Sequence, residues 1–409
     1  MENITLKPHL DLLVFSHLRW NFVFQRPQHL MTRFARSRRV YFVEEPVFGE
    51  AAFASLDVVG QGDGLKVVTP QLPRDLSASQ AREELERLVS ELIFQERITD
   101  FVSWYYTPMA LPFTRHLYPQ AVVYDCMDEL SLFRGAPAQL VELEEELLGA
   151  ADVVFTGGQS LYEAKQTRHK NIHPFPSSIE RAHFAAARDP GLREKSRRPA
   201  DQARIAGTKV GFCGVIDERM DLELVAGVAK LRPDWNLIMI GPVVKIDPAS
   251  LPRASNLHYL GMKPYAELPQ YLSGWDLAIL PFARNEATRF ISPTKTPEYL
   301  AAGLPVVSTS IRDVIRPYGE EGLVYIADSA EDFVRAGQSA MDGCRKDAAW
   351  LKNVDAFLAP RSWDSTAAQM EKLIARAVEG ESFEMPLSAG LALKPWTVAQ
   401  PVLSRSLRA

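Results

Sequence analysis

Short apolar runs rich in β-branched residues alternate with longer stretches of helical periodicity along most of the chain. In the first half, these runs occupy residues 11–16, 39–44, 65–69, 101–104, 121–125 and 152–156. Between them, residues 27–37 and 81–98 repeat apolar side chains at helical spacing. Regular alternation of strands and helices is typical of βαβ units, so the pattern predicts a mainly parallel sheet.

The same alternation restarts in the second half of the chain. Its apolar runs occupy residues 208–215, 236–241, 256–261, 276–282, 304–309 and 322–327. The fold class predicted is therefore α/β, with two Rossmann-like, doubly wound parallel-sheet domains facing each other across a cleft. The predicted units are a first domain at 1–185, a charged linker at 186–206, a second domain at 207–361, a C-terminal helix at 362–380 and an irregular tail at 381–409.

Composition narrows the class of protein. A chain of 409 residues with 46% hydrophobic residues, 24% charged residues and a net charge of −5 is typical of a soluble globular protein and argues against a nucleic-acid partner. Cys126, Cys213 and Cys344 form no CxxC pair, which favours neither a disulfide framework nor a zinc site. We find no export signal and no long apolar span, so we expect a cytoplasmic protein.

The segment SPTKTPEYLAAG offers a candidate ligand site. Ser292 can cap a helix with Pro293 as its first residue, or the helix can instead begin at Pro297. Lys295 near the helix start suits a phosphate, and Glu298, one turn further, suits a pair of sugar hydroxyls. The alternative is that the two residues form a solvated i, i+3 ion pair on a surface helix.

Four segments in the second half carry a resemblance to a known family. These segments are GFCGVIDERMDLELV (211–225), IGP (240–242), NLHYLGMKPYAELPQYLSGWDLAILPF (256–282) and SPTKTPEYLAAGLPVVST (292–309). In this order they resemble the donor-domain pattern of GT-B glycosyltransferases of the family-four, group 1 type, which make bacterial surface polysaccharides. The resemblance implies metal-independent sugar transfer from a nucleotide-diphosphate sugar, with UDP as the expected nucleotide and no other cofactor.

The resemblance also implies roles for individual residues. Arg219 and Lys295 would hold the donor diphosphate, and Glu298 would hold the ribose hydroxyls. The backbone that would approach the phosphates lies at Gly214, Val215, Ser292, Pro293 and Thr294. The last helix would cross back to the first domain. One position departs from the family pattern, because Phe290 stands where a glutamate is usual, and this leaves the donor sugar and the stereochemical outcome open.

The first half offers candidates for the acceptor side. The loop SHLRWNFVFQRPQHL (16–30) resembles the N-terminal segment of some capsule and teichuronic-acid-type glycosyltransferases. His17 is a candidate general base, and Asp128, which follows another strand, could orient the acceptor or balance charge. A structural histidine and a helix-capping aspartate are the alternatives. The predicted acceptor-binding residues are Arg19, Trp20, Gln25 and Arg26.

The predicted function is transfer of a sugar to a carbohydrate or lipid-linked acceptor in exopolysaccharide, capsule or cell-envelope glycan synthesis. Two alternatives stay open at this point: a nucleotide-sugar epimerase of the same fold, and a noncatalytic subunit that binds sugar nucleotides. A basic segment at 31–40 would allow peripheral contact with anionic lipids at the inner face of the membrane, or it is an ordinary basic helix end.

Overall fold

A computed structural model describes residues 10–50, 52–194, 199–344 and 347–380, and the predicted tail at 381–409 lies outside these residues. Within the described residues, two separate sheets of nine and six strands form, one in each half of the chain. Helices alternate with the strands. The α/β class with two parallel-sheet domains is thereby confirmed.

The first sheet has the strand order β3-β5-β2-β1-β6-β7-β8-β9, with β4 paired to β5 at one edge. All of these pairings are parallel except β4 with β5. Its strands are β1 (Asp11–Ser16), β2 (Val40–Glu44), β3 (Val47–Gly49), β4 (Ser55–Gly60), β5 (Leu65–Pro73), β6 (Phe101–Tyr105), β7 (Ala121–Cys126), β8 (Val153–Thr156) and β9 (Ile172–Pro174).

The second sheet is wholly parallel, in the order β12-β11-β10-β13-β14-β15. The chain passes outward from β10 to β12 and then returns to the other side of β10, so ligands are expected at the carboxyl end of β10. The strands are β10 (Thr208–Cys213), β11 (Trp235–Ile240), β12 (Leu257–Gly261), β13 (Leu277–Leu280), β14 (Val306–Ser308) and β15 (Tyr325–Ile326).

Helices cover both faces of each sheet. In the first half they are α1 (Arg26–Phe34), α2 (Ala78–Gln95), α3 (Leu111–Thr114), α4 (Leu140–Ala150) and α5 (Gln159–Lys165). The second half contains α6 (Arg181–Ala185), α7 (Ala200–Ala203), α8 (Leu222–Leu231), α9 (Leu268–Ser273), α10 (Lys295–Ala301), α11 (Arg312–Val314), α12 (Ala330–Gly343), α13 (Ala348–Leu358) and α14 (Trp363–Val378).

The chain passes from the first to the second domain earlier than the predicted linker. Ile179, Phe184 and Ala187 are buried in the core of the second domain. Gln202 is also fully buried, donating a hydrogen bond to the Tyr271 carbonyl and accepting one from the Trp275 indole. The described parts of 186–206 therefore belong largely to the second domain. The sequence of this segment is rich in charged residues, so its few buried residues were not recognised as part of the second domain.

Helix α14 packs against the first domain although it ends the described chain. Trp363, Met370 and Ile374 are buried in one cluster with residues of β1 and α1. Arg33 and Arg36 form ion pairs with Asp364 on α14. These contacts fasten the last helix to the first domain.

The arginines of the basic segment at 31–40 form ion pairs with other parts of the protein. Besides Arg33 and Arg36, Arg38 pairs with Glu371 of α14, and Arg39 pairs with Asp11 at 2.5 Å. The four arginines thus connect elements through ion pairs, while the side chains of Arg36 and Arg39 stay 66% and 46% exposed. Among the described residues, no helix is both long and apolar enough to cross a membrane.

Candidate functional site

Helix α10 is attached to the carboxyl end of β10 by one tyrosine. The hydroxyl of Tyr299 accepts a hydrogen bond from the Cys213 N–H at 2.7 Å and donates one to the Cys213 carbonyl at 3.2 Å. Tyr299 lies next to Glu298 in α10, and Cys213 precedes Gly214. The two donor-binding segments predicted from the sequence are thus neighbours at the end of the central strand.

Lys295 and Glu298 form a buried ion pair. Lys295 Nζ lies 2.9 Å from Glu298 Oε2, with the two side chains 13% and 8% exposed. Burial lowers the pKa of Lys295, but the Glu298 carboxylate raises it more, so the ammonium stays charged. Burial raises the pKa of Glu298 against the opposing charge of Lys295. The alternative of a solvated surface pair is wrong.

The start of α10 differs from both predicted starts. The helix begins at Lys295, after Thr294, whose side chain makes no capping hydrogen bond. Ser292 and Pro293 therefore lie before the helix instead of capping it. Ser292 lies against the first domain, since a Cβ atom built on Gly158 would lie 2.8 Å from Ser292 Cβ.

Arg219 lies on the loop that follows β10. Its guanidinium donates two hydrogen bonds to Asp217, from Nε at 3.0 Å and from Nη2 at 2.7 Å. The guanidinium carbon also lies 5.4 Å from the centre of the Phe133 ring, which belongs to the first domain. Burial lowers the pKa of Arg219, but Asp217 raises it further, leaving a firmly charged group at the boundary between the domains.

The loop at Gly214 and Val215 is held by the neighbouring strand. Gly214 N donates a hydrogen bond to the Ile240 carbonyl at 2.8 Å, and Ile216 N donates one to the Pro242 carbonyl at 2.9 Å. A Cβ atom built on Gly241 would lie 1.8 Å from the Gly214 carbonyl oxygen. Two glycines thus allow close backbone approach where donor phosphates are expected.

His17 and Asp128 face cations of the second domain. Burial lowers the pKa of His17 to about 4, opposed by a hydrogen bond involving the Tyr106 backbone, and the charge of Lys245 lowers it further. Burial raises the pKa of Asp128 to about 6, despite the charges of Arg219 and other cations. The fold therefore brings both predicted catalytic groups of the first domain to the cleft. At neutral pH, the histidine is neutral and the aspartate is largely ionised.

The residues predicted to bind the acceptor make hydrogen bonds within the first domain. Arg26 is fully buried and donates to Asp125 through Nε and Nη2, at 2.9 and 2.7 Å. A third donor, Nη1, reaches the Phe175 carbonyl at 2.6 Å. The guanidinium of Arg26 thus joins β7 to the chain after β9, which corrects the predicted acceptor role.

The other three predicted acceptor residues build the loop after β1. Arg19 Nη1 and the Trp20 N–H both donate to the Glu44 carboxylate, at 3.0 and 2.6 Å. Gln25 N donates to the Gln28 side chain at the start of α1. The polar loop predicted to bind sugar hydroxyls thus satisfies its own hydrogen bonds, which spacing along the sequence did not reveal.

A groove of about 930 Å³ lies beside these residues in the first domain. It opens at the carboxyl ends of β1, β2 and β6, where Ser16, Glu44 and Thr107 line it. Apolar side chains form much of its wall, and Arg82 and Glu142 are among its charged residues. Ser16 directly precedes His17 in the chain, whereas His17 and Asp128 are not among the residues that line the groove.

Phe290 makes an apolar contact between the domains. It comes from the second domain but packs against a buried cluster of the first domain that includes Leu13 and Phe15. The side chain at the position where the resemblance leads one to expect a glutamate thus takes part in domain contact. The sequence does not single out Lys245 or Phe133, which meet although they are far apart in the chain.

A pair of parallel-sheet domains that face each other is the arrangement of the GT-B fold. Residues 207–342 match the family model described as glycosyl transferases group 1. The chain is 26% identical over 286 residues to the putative teichuronic acid biosynthesis glycosyltransferase TuaH of Bacillus subtilis, covering 64% of this chain and 68% of that protein. The matches thus relate residues 207–342 to the group 1 glycosyltransferases, and the chain has the GT-B fold.

Solved structures share the fold at low sequence identity. Sucrose-phosphate synthase from Thermosynechococcus elongatus matches with a TM-score of 0.69 and 15% identity, over 91% of this chain and all of that chain. Anabaena HepE, in complex with UDP and glucose, matches with a TM-score of 0.62 and 15% identity, over the same shares. At these identities the likeness establishes the fold.

Proposed function

We propose that this glycosyltransferase moves a hexose from a nucleotide-diphosphate sugar, with UDP as the nucleotide, to a carbohydrate or lipid-linked acceptor. The reaction would serve cell-envelope polysaccharide synthesis. The similarity to a putative teichuronic acid biosynthesis glycosyltransferase supports this setting. The Anabaena structure with UDP and glucose supports the choice of UDP.

The observation that carries the proposal is the buried pair of Lys295 and Glu298. Burying an ion pair costs desolvation, and an apolar pair of similar size is often as stable. Binding of a ligand to Lys295 and Glu298 would explain why a charged pair is kept at the carboxyl end of β10 despite this cost. In this proposal Lys295 contacts the diphosphate and Glu298 accepts hydrogen bonds from the ribose hydroxyls.

The proposed reaction needs no metal ion. Arg219 and Lys295 would stabilise the charge that grows on the departing diphosphate. Among the described residues, no group of three or more histidine, cysteine, aspartate or glutamate side chains is arranged to hold a metal. The test of this part is donor turnover in the presence of a chelator, which we expect to leave the rate unchanged.

In the proposed reaction the acceptor lies in the groove that opens at Ser16. If the transfer inverts the anomeric configuration, a base must accept the proton of the attacking hydroxyl. Asp128, whose pKa is raised to about 6, is better matched to neutral pH than His17, whose pKa is lowered to about 4. We therefore assign Asp128 as the base and His17 as a neutral hydrogen-bonding partner of the acceptor.

The proposal includes a cytoplasmic location, with contact at the inner face of the membrane when the acceptor is lipid-linked. The acceptor itself would supply that contact. The arginines of residues 31–40 are engaged in ion pairs with Asp11 and α14.

Nucleotide binding by calorimetry tests the donor site. UDP-, GDP- and dTDP-sugars are titrated into the wild type, Lys295→Met and Glu298→Gln. We expect UDP-sugars to bind, and each substitution to weaken binding by about 1–3 kcal/mol, as the loss of a charged hydrogen bond does. The double variant Lys295→Met/Glu298→Gln leaves no unpaired buried charge, so it separates loss of the site from loss of the fold.

The matched control is Arg232→Met. Arg232 pairs with Asp234 just before β11, at the opposite end of the second sheet. We expect this variant to bind donor like the wild type. Binding that is absent in the wild type, or unchanged in the double variant, contradicts the proposed donor site. Product analysis with an acceptor panel then distinguishes transfer from epimerisation and from binding without turnover.

A further inference from the structure

Lys245 lies in an unusual turn beside the candidate donor site. It follows β11 and has a backbone φ of +60°, which is uncommon for a residue other than glycine. Its side chain is exposed and forms no ion pair with another described residue. A charged residue held in a left-handed conformation calls for a local explanation.

The turn of Lys245 is attached to the loop after β10. Ile216 and Val243 form a parallel bridge, and Val244 N donates a hydrogen bond to the Ile216 carbonyl at 3.0 Å. On the other side of the bridge, Gly241 approaches the Gly214 carbonyl so closely that no Cβ atom fits. The position of Lys245 is therefore fixed relative to the loop that is proposed to receive the phosphates.

Lys245 and Arg219 converge on one aromatic ring. Lys245 Nζ lies 5.1 Å from the centre of the Phe133 ring, and the guanidinium carbon of Arg219 lies 5.4 Å from the same centre. Phe133 belongs to the first domain and both cations belong to the second. Attraction of a cation to an aromatic face keeps each charged group near the ring without neutralising it.

The charge of Lys245 is available to a ligand. Lys295 is paired with Glu298, and Arg219 is paired with Asp217, whereas Lys245 has no carboxylate partner in the described part of the chain. Its charge also lowers the pKa of His17 and opposes the rise in the pKa of Asp128. Lys245 thus lies close to both candidate catalytic groups and beside the donor loop.

We propose that Lys245 is a third cation of the donor site and binds the diphosphate of the sugar nucleotide, with Phe133 holding it in place. The inference rests on the proposed function. In the transfer, the bond from the anomeric carbon to the β-phosphate oxygen breaks, and its electron pair leaves with the nucleoside diphosphate. The acceptor oxygen bonds to the anomeric carbon, and its proton passes to the carboxylate of Asp128, the base assigned above. Lys245 stabilises the negative charge gained by the diphosphate.

Calorimetry with UDP and UMP tests this role. Lys245→Met removes the charge at similar length, Lys245→Arg retains it, and Lys230→Met is the control on the exposed last turn of α8. We expect Lys245→Met to weaken UDP binding about tenfold, as the loss of one charged hydrogen bond does, with UMP affected much less. Lys245→Arg restores binding at least in part, and Lys230→Met binds like the wild type.

Phe133→Leu tests whether the aromatic ring holds Lys245 in place. It removes the aromatic face and keeps an apolar side chain, so it should weaken UDP binding less than Lys245→Met does. In Lys245→Met, kcat/KM for the donor should fall while KM for the acceptor stays the same.

The outcomes separate the two proposals. If Lys295→Met weakens UDP binding and Lys245→Met does not, the donor site stands and the role of Lys245 is refuted. Equal losses for UDP and UMP, or a change confined to the acceptor KM, also refute it. If the wild type binds none of the nucleotides, the proposed function and this inference fail together.

Discussion

Gly241 has a backbone conformation and a neighbour that both exclude a larger side chain. Its φ of +141° lies in the region that favours glycine, and a Cβ atom would lie 1.8 Å from the Gly214 carbonyl oxygen. We expect Gly241→Ala to destabilise the protein by about 1–3 kcal/mol and to weaken donor binding by displacing the Gly214 loop. Thermal unfolding and nucleotide titration measure the two effects.

Gly149 provides the opposite case for comparison. It lies in α4 with open space around its Cβ position and no left-handed backbone. Gly149→Ala should therefore raise stability by about 0.5–1 kcal/mol, because alanine loses less conformational freedom in a helix. Equal effects of the two substitutions would contradict the strain assigned to Gly241.

His29 makes stability depend on pH. Burial lowers its pKa to about 3, aided by the charges of Arg33, Lys295 and His183. The folded state therefore disfavours protonation, and its stability decreases as pH falls below the ordinary histidine pKa towards about 3. From about pH 7 to about pH 5, this histidine alone should cost about 2 kcal/mol.

His29→Phe tests this dependence. Phenylalanine keeps a ring against Trp363, on which His29 stacks at 4.7 Å, and removes the titrating group. Urea unfolding at both pH values should show a smaller loss of stability in the variant. An identical loss in both proteins would mean that His29 does not contribute.

The base role proposed for Asp128 predicts that activity depends on pH through its carboxylate. A base must be ionised to accept a proton, and the pKa of Asp128 is raised to about 6. The transfer rate should therefore decrease as pH falls through about 6, and Asp128→Asn should lower kcat by at least about a hundredfold. If Asp128→Asn retains the rate and the pH profile of the wild type, the assignment is incorrect.

The sequence indicates which side chains meet only where the residues are close along the chain. Lys295 and Glu298 are one helical turn apart, so their spacing indicated that they act together. Arg26 and Asp125 are 99 residues apart, and nothing local distinguishes a buried arginine from one that binds sugar. Lys245 was overlooked for the same reason, since its aromatic partner belongs to the other domain.

Among the elements, α14 stabilises the first domain by burying one apolar face. Ile374 is fully buried and Lys372 is exposed on the same helix. We expect Ile374→Ala to lower the free energy of unfolding by about 2–5 kcal/mol through the cavity it leaves. Lys372→Ala should change it by less than about 0.5 kcal/mol. Chemical denaturation of both variants checks the difference.

The central strands were predictable because buried parallel strands are continuous apolar runs, as in DLLVFS of β1. The edge strand β4 was missed. Most of its residues are exposed, and its antiparallel pairing with β5 needs no such run. The short strands β3 and β9 have only three residues each, too few for a periodic pattern to be recognised.

The two domains are joined by contacts between α5 of the first domain and Arg312 and Asp313 of the second. Asp313 Oδ1 of the second domain accepts a hydrogen bond from Ser160 N at the start of α5, at 3.0 Å. Arg312 pairs with Glu163 on the same helix. Gly158 admits this approach, since its Cβ atom would lie 2.2 Å from Asp313 Oδ2. These contacts link the two domains.

Asp313→Ala should therefore open the cleft. The N–H of Ser160 loses its partner in the other domain, and the domains separate more often. We expect a larger radius of gyration by small-angle X-ray scattering, with β10 and the buried Lys295–Glu298 pair unaffected. Glu331→Ala, on the exposed surface of α12, is the control and should leave the radius unchanged. An unchanged radius in Asp313→Ala would show that other contacts suffice.

The return of α14 to the first domain also sets an order for biosynthesis. A ribosome releases residues 10–174 long before Trp363, so the first sheet leaves the exit tunnel without the helix that covers Trp104 and Phe155. All of the second domain is synthesised before α14, so its core can form before α14 leaves the ribosome. A nascent chain that stops before Ser362 would expose this apolar face to chaperones. The first domain is therefore translated first, but its core is completed last.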